Sequence, residues 1–182
     1  AHPDRLDGLV LVDAAGWLSA PGEDDKDPVI FKLLRNGFAR NVMKDLDMSA
    51  LIRSGLENSF ADPELVTDEM VERYSAMSRA PCHREALLKI MSGTTLRVPA
   101  SKERLSAIAV PTLILHGDTD NLIPVEKFAD AIPGSKLIIY PETGHIPQEE
   151  QPVASVEDFR AFLATIYSEE TAEPEAVEPN GE

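Results

Sequence analysis

Three short runs of apolar and β-branched residues limit the fold of this chain more than any other feature. The runs cover residues 9–12, 112–115 and 137–140, and each ends in a turn with polar residues. Continuous apolar runs of this length are typical of parallel strands that are buried on both faces of a sheet. The sequence therefore predicts three parallel strands.

Helical patterns follow the second and third runs. Residues 125–132 have room for two to three helical turns before Pro133-Gly134. After the third run, apolar residues recur at helical spacing over 155–167, and Ser155 is the predicted N-cap. Strand, helix, strand, helix is the α/β pattern, so we expect an α/β fold with helices on the faces of a parallel sheet.

A long helical stretch interrupts this pattern between the first and second strands. Asp27-Pro28 and Asp62-Pro63 pair a capping residue with proline, and Thr67 can cap a helix that runs to about Arg79. We interpret residues 20–105 as an inserted helical lid of three to five helices.

The remaining domain boundaries follow from this insertion. The α/β core then consists of residues 1–19 and 106–167. The acidic, Pro-rich residues 168–182 contain almost nothing apolar, so we expect them to be disordered.

Composition excludes several classes of partner. The net charge of −15 argues against binding to nucleic acid or to an anionic membrane. The single cysteine, Cys82, rules out an internal disulfide and a thiolate metal cluster. No apolar run approaches the roughly 20 residues of a membrane helix. A soluble, cytoplasmic protein is the prediction, and its oligomeric state cannot be read from the sequence.

Acidic and basic side chains follow the second and third predicted strands. The stretch LILHGDTDNLIP holds Asp118 and Asp120 after the second strand, and His145 follows Gly144 after the third. The carboxyl ends of parallel strands face one crevice, where open α/β sheets place ligands. An aspartate there can fix the tautomer of a histidine, whose other nitrogen then accepts a proton from a nucleophile or water.

These stretches resemble the C-terminal part of α/β-hydrolase-fold enzymes. AHPDRLDGLVLVDAAG, VPTLILHGDTDNLIP and GSKLIIYPETGHIPQEEQP carry the resemblance, which extends over residues 1 to about 167. It implies that Asp120 is the acid and His145 the base of a nucleophile–acid–histidine triad. It also implies a hydrolase that acts on a small, largely apolar substrate and needs neither a cofactor nor a metal.

The family's nucleophile motif is not in the sequence. No G-x-S-x-G occurs in the 182 residues, and Ser19, Ser92 and Ser135 lack the strand-to-helix setting of that motif. We therefore expect a fragment of a hydrolase that has negligible activity alone and exposes an apolar strand edge.

Other residues are candidates for the same roles. Asp118, which we expect to bind its own loop backbone, and Asp13, at the end of the first strand, are the alternative acids. We expect His116 to be packed or bonded to a loop. Cys82 and His83 are neighbours in the predicted lid, so we do not assign Cys82 as a nucleophile; His2 and His83 are expected to be exposed.

The bond that is cleaved stays open at this point. Ester hydrolysis is the preferred interpretation. The alternatives are a haloalkane dehalogenase or an epoxide hydrolase with an aspartate nucleophile, a carbon–carbon bond hydrolase that acts on ring-cleavage products, and a non-catalytic member of the fold that binds a small ligand.

Overall fold

The computed structural model describes residues 3–16, 47–83, 86, 89, 90, 100–120 and 125–168. Within them lies a parallel sheet of three strands in the order β1-β2-β3, where β1 is Leu9–Val12, β2 is Thr112–Gly117 and β3 is Lys136–Tyr140. Both strand pairs are parallel, with Leu11 beside Ile114 and Ile114 beside Leu137. The predicted α/β fold and its three strands are confirmed.

Six α-helices have defined bounds among the described residues, together with the 3₁₀ helices Pro3–Arg5 and Pro63–Leu65. The α-helices are α1 (Ser49–Ser59), α2 (Asp68–Arg79), α3 (Lys102–Leu105), α4 (Glu126–Ala131), α5 (Pro147–Glu150) and α6 (Pro152–Tyr167). None of the described helices is long and apolar enough to cross a membrane.

Alternate residues of β2 pack against helices on opposite faces of the sheet. Leu113 and Leu115 contact a cluster that contains Phe162 of α6, whereas Ile114 packs with Phe128 and Ile132 from α4 and its C-terminal end. All six residues of β2 are buried. The central strand is therefore covered on both faces, as its continuous apolar sequence predicts.

A third hydrophobic cluster lies in the helical segment, which we define as residues 47–83. Leu56, Phe60, Val66 and Val71 form this cluster, and Ile146 from the loop before α5 packs against it. The helical segment thus has a small core of its own that touches the chain next to His145.

Helix starts in the structure agree with some of the predicted caps. Thr67 Oγ1 accepts a hydrogen bond from Met70 N at 3.1 Å and α2 ends at Arg79, as predicted. Asp62 accepts from Glu64 N at 2.9 Å, but it begins a single 3₁₀ turn.

The predicted N-cap at Ser155 is wrong. Helix α6 begins at Pro152, because proline has no N–H to satisfy and fits the first turn of a helix. Ser155 is buried inside α6 and donates to Pro152 O at 3.3 Å.

Several predictions lie outside the described residues: the helix start at Asp27-Pro28, the side chain of His2, Ser19 and Ser92, and the tail beyond residue 168. The boundaries of the α/β core and of the lid remain predictions.

Candidate active site

The loops after β2 and β3 are tied together by backbone contacts. Thr119 N and Oγ1 both donate to Thr143 O, at 3.0 and 2.8 Å, and Thr143 N donates to Asp118 Oδ1 at 3.3 Å. A Cβ on Gly117 would collide with the carbonyl oxygens of Thr143 and Gly144, so the end of β2 needs glycine. The two loops therefore form one unit.

This unit brings the predicted acid and base together. His145 Nδ1 lies 2.9 Å from Asp120 Oδ2. The Asp120 side chain is completely buried, whereas 29% of the His145 side chain is exposed. The hydrogen bond occupies Nδ1, which leaves Nε2 as the ring nitrogen for proton transfer.

The loop that carries His145 is held by α5 and by the helical segment. The Glu150 carboxylate accepts from Gly144 N at 3.0 Å and from Ala61 N at 2.8 Å. His145 N itself donates to Ser59 O at 2.6 Å. The backbone position of the histidine is thus fixed from two sides.

A cavity of about 180 Å³ opens at this point. It is lined by both loops and by the end of α1 with the residues that follow: Asn58, Ser59, Phe60, Ala61, Thr119, Asp120, Gly144 and His145. The acid–base pair therefore faces a space that can admit a small ligand.

A second acid–histidine pair lies buried beside the first. Asp13, at the end of β1, has its Oδ1 2.6 Å from His116 Nδ1, and both side chains are at most 5% exposed. Gly117 N also donates to Asp13 Oδ1, at 3.4 Å. Asp13 has φ of 39°, a left-handed conformation that is uncommon outside glycine, asparagine and aspartate.

The surroundings of Asp13 disfavour its charged form. Burial raises the pKa of the Asp13 carboxyl to about 8; the hydrogen bond from Gly117 opposes this rise, while the Asp120 carboxylate and Glu150 add to it. Because two neighbouring carboxylates cannot both be ionised at low cost, the raised pKa of Asp13 favours its protonated form beside Asp120.

Asp13, His116 and Asp120 each place a ligand-type atom within 4.8 Å of the others, as a metal site would. The 2.6 Å contact between Asp13 and His116 is a hydrogen-bond distance, and Asp120 Oδ2 is taken by His145. These hydrogen bonds already use Asp13 Oδ1, His116 Nδ1 and Asp120 Oδ2, and we do not assign these residues as metal ligands.

The alternative acids do not contact His145 in the structure. Asp13, at the end of β1, pairs with His116, which agrees with the expectation that His116 is packed or bonded. Asp118 binds Thr143 N in the neighbouring loop and not its own loop as expected, because the two loops lie against each other.

Three further residues were considered in the sequence analysis: Cys82 and Ser135 as possible nucleophiles, and His83 as an exposed histidine. Cys82 and His83 are exposed at the end of the helical segment. Ser135 lies just before β3, at the opposite end of that strand from His145.

Glu150 and residues 58–61 are the parts of the site that sequence reasoning missed. The Glu150 carboxylate and the Ser59 carbonyl oxygen bind backbone N–H groups of the histidine loop, and bonds to backbone groups leave no pattern in a sequence. The local sequence Pro147-Gln148-Glu149-Glu150 predicts only the start of a helix.

Comparison with known proteins identifies the family. The model of the α/β hydrolase fold matches residues 1–152. The chain is 33% identical to 2-hydroxy-6-oxo-2,4-heptadienoate hydrolase of Pseudomonas putida, over 89% of this chain and 56% of that protein. It is 28% identical to 2-hydroxy-6-oxo-6-(2'-aminophenyl)hexa-2,4-dienoic acid hydrolase of Metapseudomonas resinovorans, over 92% and 53%.

Comparison with solved structures also finds a similar hydrolase. The thermophilic esterase of Thermogutta terrifontis is 27% identical, with a TM-score of 0.58 over 91% of this chain and 58% of that one. The chain spans about half the length of the curated relatives it matches. The predicted family is confirmed: the chain belongs to the α/β-hydrolase fold family.

Proposed function

We propose that Asp120 and His145 are the acid and the base of a hydrolase that cleaves a carbon–carbon bond in a 2-hydroxy-6-oxo-dienoate. The observation that carries the proposal is the 2.9 Å hydrogen bond between His145 Nδ1 and the buried Asp120 carboxylate, at the wall of a cavity. The names of the Pseudomonas putida and Metapseudomonas resinovorans relatives support the substrate class.

The geometry suits general-base catalysis followed by general-acid catalysis. Asp120 accepts a hydrogen bond from Nδ1–H and leaves Nε2 unprotonated, so Nε2 removes a proton from a nucleophile or water as that oxygen attacks a carbonyl carbon. The buried carboxylate stabilises the imidazolium that forms. When the carbon–carbon bond breaks, the leaving carbon takes the proton from Nε2, and His145 returns to its starting state.

The nucleophile of this reaction is not assigned to a residue of this sequence, which has no G-x-S-x-G motif. We propose that it belongs to the native protein, meaning the chain together with any coding sequence that adjoins it in its gene. The covalent route is then acyl transfer through that residue, without a cofactor.

The test is a substrate comparison in the native protein. We expect kcat/KM for 2-hydroxy-6-oxo-6-phenylhexa-2,4-dienoate to exceed that for p-nitrophenyl acetate. Asp120→Asn should lower kcat by about 10⁴-fold, as the loss of the acid does in serine proteases, and His145→Ala should lower it at least as far.

Asp130→Asn is the matched control, because it removes an exposed carboxylate from α4. If Asp120→Asn turned over substrate as fast as wild type, the acid role would pass to Asp13 or Asp118. If neither substrate were hydrolysed by wild type, the proposal would fail in favour of aspartate-nucleophile chemistry or ligand binding.

Ester hydrolysis is the second candidate. The Thermogutta terrifontis esterase supports it, since it is 27% identical to this chain. The same acid–base pair would serve, and a preference for p-nitrophenyl acetate in the assay above would decide for it.

The cytoplasm is the location that we propose. A reducing compartment suits a chain with one cysteine, and Cys82 is exposed. Fractionation of cells that express the native gene should recover the protein with cytoplasmic markers; recovery with membranes or in the medium would contradict this.

A further inference from the structure

We propose that Asp13 is a neutral carboxylic acid that donates a hydrogen bond to Asp120 and thereby positions the carboxylate that holds His145. The inference rests on the function proposed above for Asp120 and His145. It gives a role to the buried Asp13–His116 pair, which the reaction itself does not use.

The first argument is the unequal use of the two Asp13 oxygens. Oδ1 accepts from His116 Nδ1 at 2.6 Å and from Gly117 N at 3.4 Å. Oδ2 is buried and accepts no hydrogen bond from any residue that the structure describes. A buried carboxylate oxygen without a donor is costly, and a proton on that oxygen would remove the cost if an acceptor lies near.

The second argument is that Asp120 supplies an acceptor close to Asp13. Asp120 lies within the 4.8 Å cluster of Asp13 and His116, and its side chain is fully buried. Two ionised carboxylates would repel each other there, whereas a protonated Asp13 becomes a donor to Asp120. One proton thus satisfies the Oδ2 atom and removes the repulsion.

The charged groups around Asp13 agree with this placement. Asp120, on the loop after β2, and Glu150, on α5, are both acidic, and His116 on β2 faces the other Asp13 oxygen. Burial is the largest cause of the raised pKa of about 8, so the proton is retained at pH 7. His145 touches Asp120 and not Asp13.

The result is a chain of hydrogen bonds that ends at the base. His116 Nδ1–H donates to Asp13, Asp13 donates to Asp120, and His145 Nδ1–H donates to the same Asp120 carboxylate. With a donor on each side, the Asp120 carboxylate has one orientation. Asp13 is therefore a positioning residue, and His116 fixes Asp13 in turn.

Asparagine is the substitution that tests this role, because its amide copies a protonated aspartate. The Asn carbonyl can accept from His116 and the NH₂ group can donate to Asp120, whereas alanine can do neither. In the native protein, Asp13→Ala should lower kcat by about 10–100-fold, as loss of a supporting partner does at other sites, with little change in KM. The kcat of Asp13→Asn should be about tenfold higher than that of Asp13→Ala.

The pH dependence of activity distinguishes a positioning role of Asp13 from a merely structural one. Wild type should lose activity on the alkaline side with an apparent pKa near 8, as Asp13 ionises beside Asp120. Asp13→Asn should lack this inflection, and Asp130→Asn should keep it. If Asp13→Asn were as inactive as Asp120→Asn, Asp13 would need its charge and the proposal would be overturned.

A second measurement does not depend on catalysis. In ¹⁵N- and ¹³C-labelled wild-type protein at pH 6.5, with signals assigned by comparison with His116→Gln and Asp13→Asn, the His116 ring should show one protonated and one unprotonated nitrogen, and the Asp13 carboxyl carbon should have the chemical shift of a protonated acid; the shift of a carboxylate would overturn the proposal. Two protonated nitrogens would place the proton on His116 as an imidazolium and overturn the proposal. Wild type without hydrolase activity would refute the proposed function alone, because the Asp13 and His116 signals still locate the proton.

Discussion

Gly144 shows how closely backbone segments approach at this site. A Cβ at this position would meet Phe60 C at 2.9 Å and Ala61 N at 2.7 Å, and the Ser59 carbonyl oxygen would be closer still. These are backbone atoms, which cannot swing aside as a flexible side chain can. Glycine is therefore required where the histidine loop crosses the helical segment.

Gly144→Ala should destabilise the protein by about 1–3 kcal/mol, as overpacking of a tight contact does. Gly55→Ala is the matched control, because a Cβ there meets nothing within 4 Å and Gly55 lies in the exposed middle of α1. It should stabilise by about 0.5–1 kcal/mol. Urea unfolding measures both; a neutral Gly144→Ala would contradict the packing.

The raised pKa of Asp13 also makes stability depend on pH. The carboxyl has a pKa of about 8 in the folded chain and about 3.9 when unfolded. Between these values the folded state holds more protons at Asp13, so the contribution of Asp13 to stability is greatest below about pH 4 and declines as pH rises towards 8, by at most about 1.4 kcal/mol per pH unit.

Asp13→Asn should remove this contribution. We expect its free energy of unfolding, relative to wild type, to rise between pH 5 and pH 8, as measured by urea unfolding at both values. If the difference in free energy of unfolding between Asp13→Asn and wild type were the same at both pH values, Asp13 would be ionised throughout the range.

Strand positions were predictable from the sequence because buried parallel strands are apolar along their whole length. The acid–base pair followed, since Asp120 and His145 come after two of these strands. The link between Asp13 and His116 could not be predicted, because it joins the ends of β1 and β2 across the long segment between them. A pairing of this kind depends on the register of the two strands and on which way each side chain turns.

Helix α5 is short, and two adjacent glutamates on it have different tasks. Glu149 pairs with Arg73 of α2, at 2.7 Å, on the surface. Glu150 accepts backbone hydrogen bonds from Gly144, Ile146 and Ala61. Glu149 thus pairs with another side chain, whereas Glu150 connects the backbone of the histidine loop to the backbone of the helical segment.

Glu150→Gln should cost about 2–3 kcal/mol of stability, because one of two acceptor oxygens is replaced by a donor and the bonds lose their charge. Glu149→Gln should cost less than about 1 kcal/mol, as exposed ion pairs contribute little. Urea unfolding gives the costs, and amide exchange at Gly144 and Ala61 should quicken only in Glu150→Gln. Equal losses in the two variants would mean that Glu150 has no special part.

At the scale of the whole molecule, the proposed acid and base, Asp120 and His145, are present in a sequence without a G-x-S-x-G motif. We predict that the 182-residue chain by itself hydrolyses p-nitrophenyl acetate no faster than its own His145→Ala variant. A clearly higher rate in the unchanged chain would show that it contains a working nucleophile, and Cys82→Ser would then test the exposed thiol.

The hydrogen bond from His145 N to Ser59 O has a consequence for substrate size. Ser59 also lines the cavity, so one residue is both part of its wall and a support of the base. A bulky substrate that pushed this wall outward would pull on the histidine or break its anchor. The hydrogen bond that holds His145 in place therefore also limits the width of the substrate. A substrate too wide for the cavity would bind with His145 displaced from its position beside Asp120.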